Sequence, residues 1–211
     1  MPIYSKNKKN VLFIHIPKSG GSSLSLSLRM RRWNESLTIR GRSLNDLNFM
    51  KCSPQHYHSD ILNEILNLKD FDQKITIVRN PYERIKSEFY WQLRTGIIDE
   101  KINPKDWFRN ILNKYESNNY LYDNHIRFQS EFIIKELKVF KLEENGVEKA
   151  LNFILGKNKS LINKFFTILK IPKSKENVRL LNIEEQFLEL KREIIDFYLK
   201  DYEMFNYDLN L

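Results

Sequence analysis

The sequence predicts an α/β fold, a three-layer α/β/α sandwich around a short central parallel sheet. Two observations carry that expectation. Two short runs, Val11–Ile16 and Ile75–Val78, are nearly continuous in apolar residues rather than alternating, the pattern of strands buried on both faces. Each leads through a loop into a segment with helical periodicity, so the order strand, helix, helix, strand, helix calls for parallel strands joined by right-handed crossovers. The length of 211 residues, with 41% apolar and 13% aromatic residues, suits a single domain over 1–211 with a sizeable core.

The elements follow in order. After the first strand, Ser22 to about Arg32 reads as a helix with Leu24, Leu28 and Met30 facing inward. Residues 34–58 show no period. Asp60–Leu68 is helical, with Ile61, Ile65 and Leu68 on one stripe. The second strand is β-branched and ends at Asn80-Pro81-Tyr82-Glu83, a strong helix start. There Asn80 caps, Pro81 takes the first helical position, and Glu83 completes a capping box. Ile85, Phe89 and Leu93 then form the buried stripe. Further helices are expected around 105–118, 126–136, 147–155, 159–166 and 183–200, with a third strand at 137–142. In the last helix Phe187, Leu190, Ile194 and Tyr198 recur at core spacing.

Lys and Arg outnumber Asp and Glu by 35 to 27, a net charge of +8, which points to an anionic partner or to a solvated basic surface. Cys52 is the single cysteine, so no intrachain disulfide forms and a reducing compartment is favoured. Four histidines without cysteine partners give no pattern for structural zinc, and no metal is expected. The polar start, MPIYSKNKKN, and the short first apolar run fit neither a leader nor a membrane span, so a cytoplasmic protein is expected.

The stretch FIHIPKSGGSSL, residues 13–24, puts a lysine, two glycines and three serines between strand and helix. Such a loop lies at the carboxyl edge of a parallel sheet, beside the unpaired N–H groups of a helix start. Gly20 and Gly21 allow close backbone approach, Ser22 and Ser23 donate hydroxyls, and Lys18 supplies charge. Together with Ser19 these make a phosphate cradle, or alternatively a Gly-Gly turn capped by Ser22. It is P-loop-like without being the nucleoside-triphosphatase loop GxxxxGK(S/T), because the lysine precedes the glycines and no Lys-Ser/Thr pair follows. The second strand also ends in a cation, Arg79. Beyond it Arg84, Ser87, Glu88 and Trp91 share a helix face. Arg79 and Ser87 thus offer a second phosphate site, although Arg79 also has Glu83 and Glu88 within reach as salt-bridge partners. Two sites on adjacent strand ends suit a nucleotide with phosphates at both ends of its ribose.

HIPKSGGSSL resembles the 5′-phosphosulfate loop of carbohydrate sulfotransferases, H-I-P-K-S/T-G-G-S/T-S. ITIVRNPYERIKSEFYW resembles their 3′-phosphate motif, R-D/N-P-x-x-R-L/F/I-x-S-x-Y/F. The likeness is to the 2-O-sulfotransferases of heparan and dermatan sulfate and their short bacterial and viral relatives. It extends to DNHIRFQSEF at 123–132, FKLEEN at 140–145 and KDYEMFNYD at 200–208. The resemblance implies that Lys18, Ser19, Gly20, Gly21, Ser22 and Ser23 hold the 5′-phosphosulfate of 3′-phosphoadenosine 5′-phosphosulfate (PAPS), and that Arg79 and Ser87 hold its 3′-phosphate. The implied reaction moves a sulfuryl group to a hydroxyl of a carbohydrate or glycolipid by in-line displacement. Lys18 would stabilise the leaving phosphate, and no metal is required.

For the base, the resemblance offers His56 and His58 in QHYH, with His58 ahead on the family's H-x-H spacing and His56 selected by the QH pattern of other relatives. Either is otherwise a loop histidine or a helix cap. Histidine suits the role because its ordinary pKa of ~6.5 lies near working pH. DNHIRFQ matches a His-x-x-x-Gln segment near the family's acceptor pocket, so Asn124, His125, Arg127 and Gln129 are acceptor candidates. Here Phe128 stands where the family often has proline, and an interior role for His125 is equally open. His15 reads as structural. Arg29, Arg31, Arg32, Arg40 and Arg42, and the basic stretch with Lys173, Lys175 and Arg179, are acceptor contacts or solvated faces. Two other functions compete: an ATP-dependent phosphotransferase, which needs a magnesium-binding acid at a strand end, and a non-catalytic binder of anionic glycan or nucleic acid. No aromatic–basic repeat supports nucleic-acid binding.

Overall fold

The computed structural model describes residues 2–39, 49–156 and 178–209. The expected helix at 159–166, Arg40 and Arg42, and the side chains of Lys173, Lys175 and Arg179 lie outside the described residues.

Five strands form one sheet in the order β3-β1-β2-β4-β5. They are β1 (Ile3–Lys6), β2 (Lys9–Ile14), β3 (Asn34–Ser36), β4 (Gln73–Val78) and β5 (Lys138–Lys141). As the apolar runs predict, β2, β4 and β5 are parallel, with Phe13 opposite Ile75 and Ile77 opposite Phe140, so their carboxyl ends lie side by side. β1 and β3 add an antiparallel flank. Neither was expected, because Ile3-Tyr4-Ser5-Lys6 and Asn34-Glu35-Ser36 carry too few apolar residues to register. Asn7 and Lys8, at φ 50° and 65°, turn β1 into β2, the paired positive φ of a tight hairpin.

Alternation along the strands divides the core. Phe13, Ile75 and Ile77 face Leu24 and Leu28 of α1 (Gly21–Met30) and Leu151 and Ile154 of α6 (Gly146–Leu155). Leu12, Ile14 and Val78 face the opposite layer, with Leu62 of α2 (Ser59–Ile65), Phe132, and Phe205 just beyond α8 (Leu199–Met204). A further core lies among α3 (Pro81–Thr95), α4 (Pro104–Ser117) and α7 (Val178–Phe197), where Phe89, Trp107 and Phe187 meet edge to face. Leu190, Ile194 and Tyr198 are fully buried, as their spacing predicts. Among the described residues no helix is long and apolar enough to cross a membrane.

Not every local signal held. Met30 and Ile65, expected to face inward, are 58% and 50% exposed, and Leu62 is the buried residue of α2. Asn80 caps α3 by accepting the N–H of Glu83 at 3.3 Å, but the return half of the capping box is missing. The Asn80 N–H instead donates to Glu143, and the Glu83 carboxylate lies 3.7 Å from Arg79. The helix expected at 126–136 is only a 3-10 turn, Gln129–Phe132. Asp201, fully buried, accepts the N–H groups of both Gln129 and Ser130 at 2.8 Å, fixing the turn to the start of α8. Hydrogen bonds to a charged acceptor are worth about 1.5–3 kcal/mol each. Asp201→Ala should therefore cost on the order of 3 kcal/mol in denaturant unfolding, with the slope unchanged.

Candidate active site

Lys18 and Gly20 both take left-handed backbone, φ 64° and 84°, and curl the chain from β2 into α1. No side chain caps α1, so its first N–H groups and partial positive charge are left for a ligand. Gly21 is needed for a different reason: a Cβ there would fall 2.1 Å from Cδ2 of His15, whose ring lies against it. The cavity at this loop has a volume of about 810 Å³. Lys18, Gly20, Gly21, Ser22, Ser23, Arg79 and Ser87 line it, and so do His15, Gln55, His56, Trp91 and His125.

The Lys18 ammonium sits 5.2 Å above the ring of Trp91. Burial pushes its pKa down to about 8, against the pull of Glu88 and with help from Arg94 and Arg79. Arg79 donates to the Lys18 carbonyl at 3.3 Å, which locks the two strand ends together.

Two histidines point into the cavity, each backed by a buried carboxylate. His56 Nδ1 lies 2.7 Å from Asp123 Oδ2, and His125 Nδ1 lies 2.7 Å from Glu88 Oε2. Hydrogen bonds from His56 and Ser53 outweigh the burial that opposes the Asp123 charge, holding its carboxyl below the usual range. His125 and Gln92 do the same for Glu88. An ionised carboxylate only accepts, so each Nδ1 carries a proton toward its carboxylate. Burial, partly offset by Asp123, keeps His56 below its ordinary pKa and hence neutral at pH 7. The two rings meet edge to face at 5.0 Å.

Behind each pair is a fixed support. Ser53 donates to Asp123 through both its N–H and its hydroxyl, and Asn124 donates to the His56 carbonyl at 2.9 Å. Tyr122, Asp123 and Asn124 all have positive φ, 50°, 61° and 64°, three successive strained residues in the one-turn segment α5 (Leu121–Asn124). Glu88 is held by Gln92, which in turn accepts from Trp107 Nε1 at 2.9 Å.

The structure thus brings Lys18, Gly20, Gly21, Ser22, Ser23, Arg79, Ser87, His56 and His125 to one cavity. Ser19 turns inward, its hydroxyl 3.5 Å from Gln129. His58, ahead on spacing, does not line the cavity; it is buried edge-on to Tyr120, 3.9 Å from Asp60. The geometry shifts the preference to His56. Gln129 is fully buried and clasps the Arg79 backbone from both sides, and Arg127 is buried among Asn119, Asn124 and Glu131. Neither is among the residues that line the cavity. Arg84 likewise holds the carbonyls of His125 and Arg127. Asp123 was missed, since its partner lies 67 residues away and no spacing links them. Ser53 was missed for the same reason, its partner Asp123 lying 70 residues away. Gln92 is only four residues from Glu88, but a Glu–Gln pair at that spacing is ordinary on a helix and marks no site.

A family model described as the sulfotransferase family matches residues 2–208. No curated protein and no solved structure matches the chain.

Asp123 raises the His56 pKa, so removing it should move that pKa further down. In Asp123→Ala the His56 titration followed by NMR should therefore shift to lower pH. Three donors lose their acceptor, so stability should fall by on the order of 2–4 kcal/mol.

Proposed function

The chain belongs to the sulfotransferase family, and we propose that it transfers the sulfuryl group of PAPS to a carbohydrate or glycolipid hydroxyl. The observation that carries this reading is one cavity lined both by cations from two adjacent strand ends and by a carboxylate-backed histidine. The donor fits the residues present. An uncapped helix start beside Lys18 suits a phosphosulfate, while Arg79 and Ser87 suit a phosphate further along α3. No magnesium-binding acid is needed: Glu35, which lines the cavity, is engaged by Tyr4 and Arg29, and Asp123 and Glu88 behind it are engaged by histidines.

In this reading His56 Nε2 takes the proton of the acceptor hydroxyl as its oxygen bonds to sulfur and the bond from sulfur to the phosphate oxygen breaks. Lys18 and the α1 N–H groups meet the charge gathering on that phosphate oxygen. Asp123 holds the imidazole in the tautomer that can accept and offsets the charge it gains. Trp91 offers an apolar face beside the base, suited to a sugar ring. The lone buried cysteine, pushed up to about 12 by burial, fits work in a reducing cytoplasm.

Adenosine 3′,5′-bisphosphate should raise the melting temperature without magnesium, and Lys18→Ala and Arg79→Ala should remove most of that shift. If ATP with magnesium stabilises the protein and the bisphosphate does not, the reading fails. With radiolabelled PAPS and a panel of sugar acceptors, His56→Ala should lower kcat by roughly 10²–10⁴, whereas His58→Ala should have a small effect. The kcat/KM profile should be a bell. Activity rises as His56 loses its proton, below the ordinary histidine value of ~6.5. It falls as pH passes about 8, where Lys18 loses its charge.

A further inference from the structure

We propose that His56, His125 and Asp123 form a binding site for a zinc-class divalent ion at the base of the cavity, and that an ion there silences the base. One ring nitrogen of each histidine and one Asp123 oxygen lie within 4.8 Å of one another, and all three residues are buried. Ligands on a tetrahedral ion with bonds of ~2.1 Å sit roughly 3.4 Å apart, so small side-chain rotations close the set. Two imidazoles and a carboxylate suit zinc or a neighbouring transition metal, whereas magnesium demands an all-oxygen shell.

The surroundings are those of metal-bound histidines. Glu88 takes the Nδ1–H of His125, fixing the ring with Nε2 outward, and Gln92 and Trp107 immobilise that carboxylate. Ser53 holds Asp123 by two hydrogen bonds. His56 and His125 line the cavity and Asp123 stands behind them, so an ion held among them can be reached from the cavity. His15 is excluded, because Gly21 covers its Nε2: a Cβ there would lie 2.3 Å from that atom. His58 lies outside the cavity. With four histidines and one cysteine in the chain, the background for zinc is small.

Binding does not depend on the sulfotransferase reading; only the silencing does, since an ion shared with Asp123 takes His56 Nδ1, the proton there moves to Nε2, and the neutral ring can no longer accept one at that nitrogen. Titration calorimetry of the chelator-treated chain with zinc chloride tests binding directly. One ion per chain is expected, with no heat from magnesium chloride. His56→Asn and His125→Asn should each weaken zinc by at least about tenfold, and His58→Asn should not. Cobalt(II) should report the site independently, through visible absorption that His125→Asn abolishes. A retained bisphosphate-induced melting shift shows that each variant is folded. No saturable binding at submillimolar zinc, or binding as tight in folded His125→Asn as in the parent, overturns the site. Full sulfuryl transfer with zinc bound overturns the silencing while leaving the site.

Discussion

A single buried amide, Gln129, holds together the parts on which the cavity depends. Its oxygen accepts from the Arg79 N–H at 2.9 Å, its nitrogen donates to the Arg79 carbonyl at 2.8 Å, and Ser19 reaches the same oxygen. The end of β4 and the loop after β2 are thereby tied to one side chain. Its own N–H is anchored to Asp201, which reaches from α8 near the end of the chain. Parallel strands alone align their carboxyl ends only approximately. The amide fixes the two cationic loops relative to each other without exposing an unpaired polar group.

The second constraint is backbone strain stored opposite that clasp. Left-handed backbone costs roughly 1–2 kcal/mol at a residue such as Tyr122 and less at Asp123 and Asn124, and three in succession at 122–124 are held by over-determined side chains and carbonyls. Asp123 receives three donors, Asn124 bridges the His56 carbonyl and Arg127, and Arg84 grips the carbonyls of His125 and Arg127. The strain sets two imidazoles edge to face at the cavity wall. Removal of one donor is thus felt at the ring as well as in stability.

Much of this was legible in the order of residues. Continuous apolar runs identified β2 and β4, Asn80-Pro81 marked the start of α3, and the sheet rule then put Lys18 and Arg79 side by side. What stayed hidden was of two kinds. β1 and β3 are short and carry only Ile3 and Tyr4 as apolar residues, so hydropathy could not show them, although Tyr4 is fully buried in the core. The histidine–carboxylate pairs join residues 67 and 37 apart, and such contacts come from the fold rather than from spacing. His58 differs for a local reason: His56 ends the 3-10 turn Pro54–His56 while Tyr57 and His58 are extended, so the two rings do not share the face that an unbroken strand would give them, and of the two only His56 lines the cavity.

The backbone of Lys18 illustrates how such a loop is confined as its sequence drifts. At φ 64° glycine would rest without strain and asparagine nearly so. Either would relieve the turn and discard the ammonium that stands over Trp91. A mutation toward local comfort therefore removes the charge, and one that keeps a long cationic side chain retains the strain. Stability and chemistry pull this one position in opposite directions, and the surrounding scaffold, with its buried amide and its paired strand ends, is what lets the chain remain on the less comfortable side.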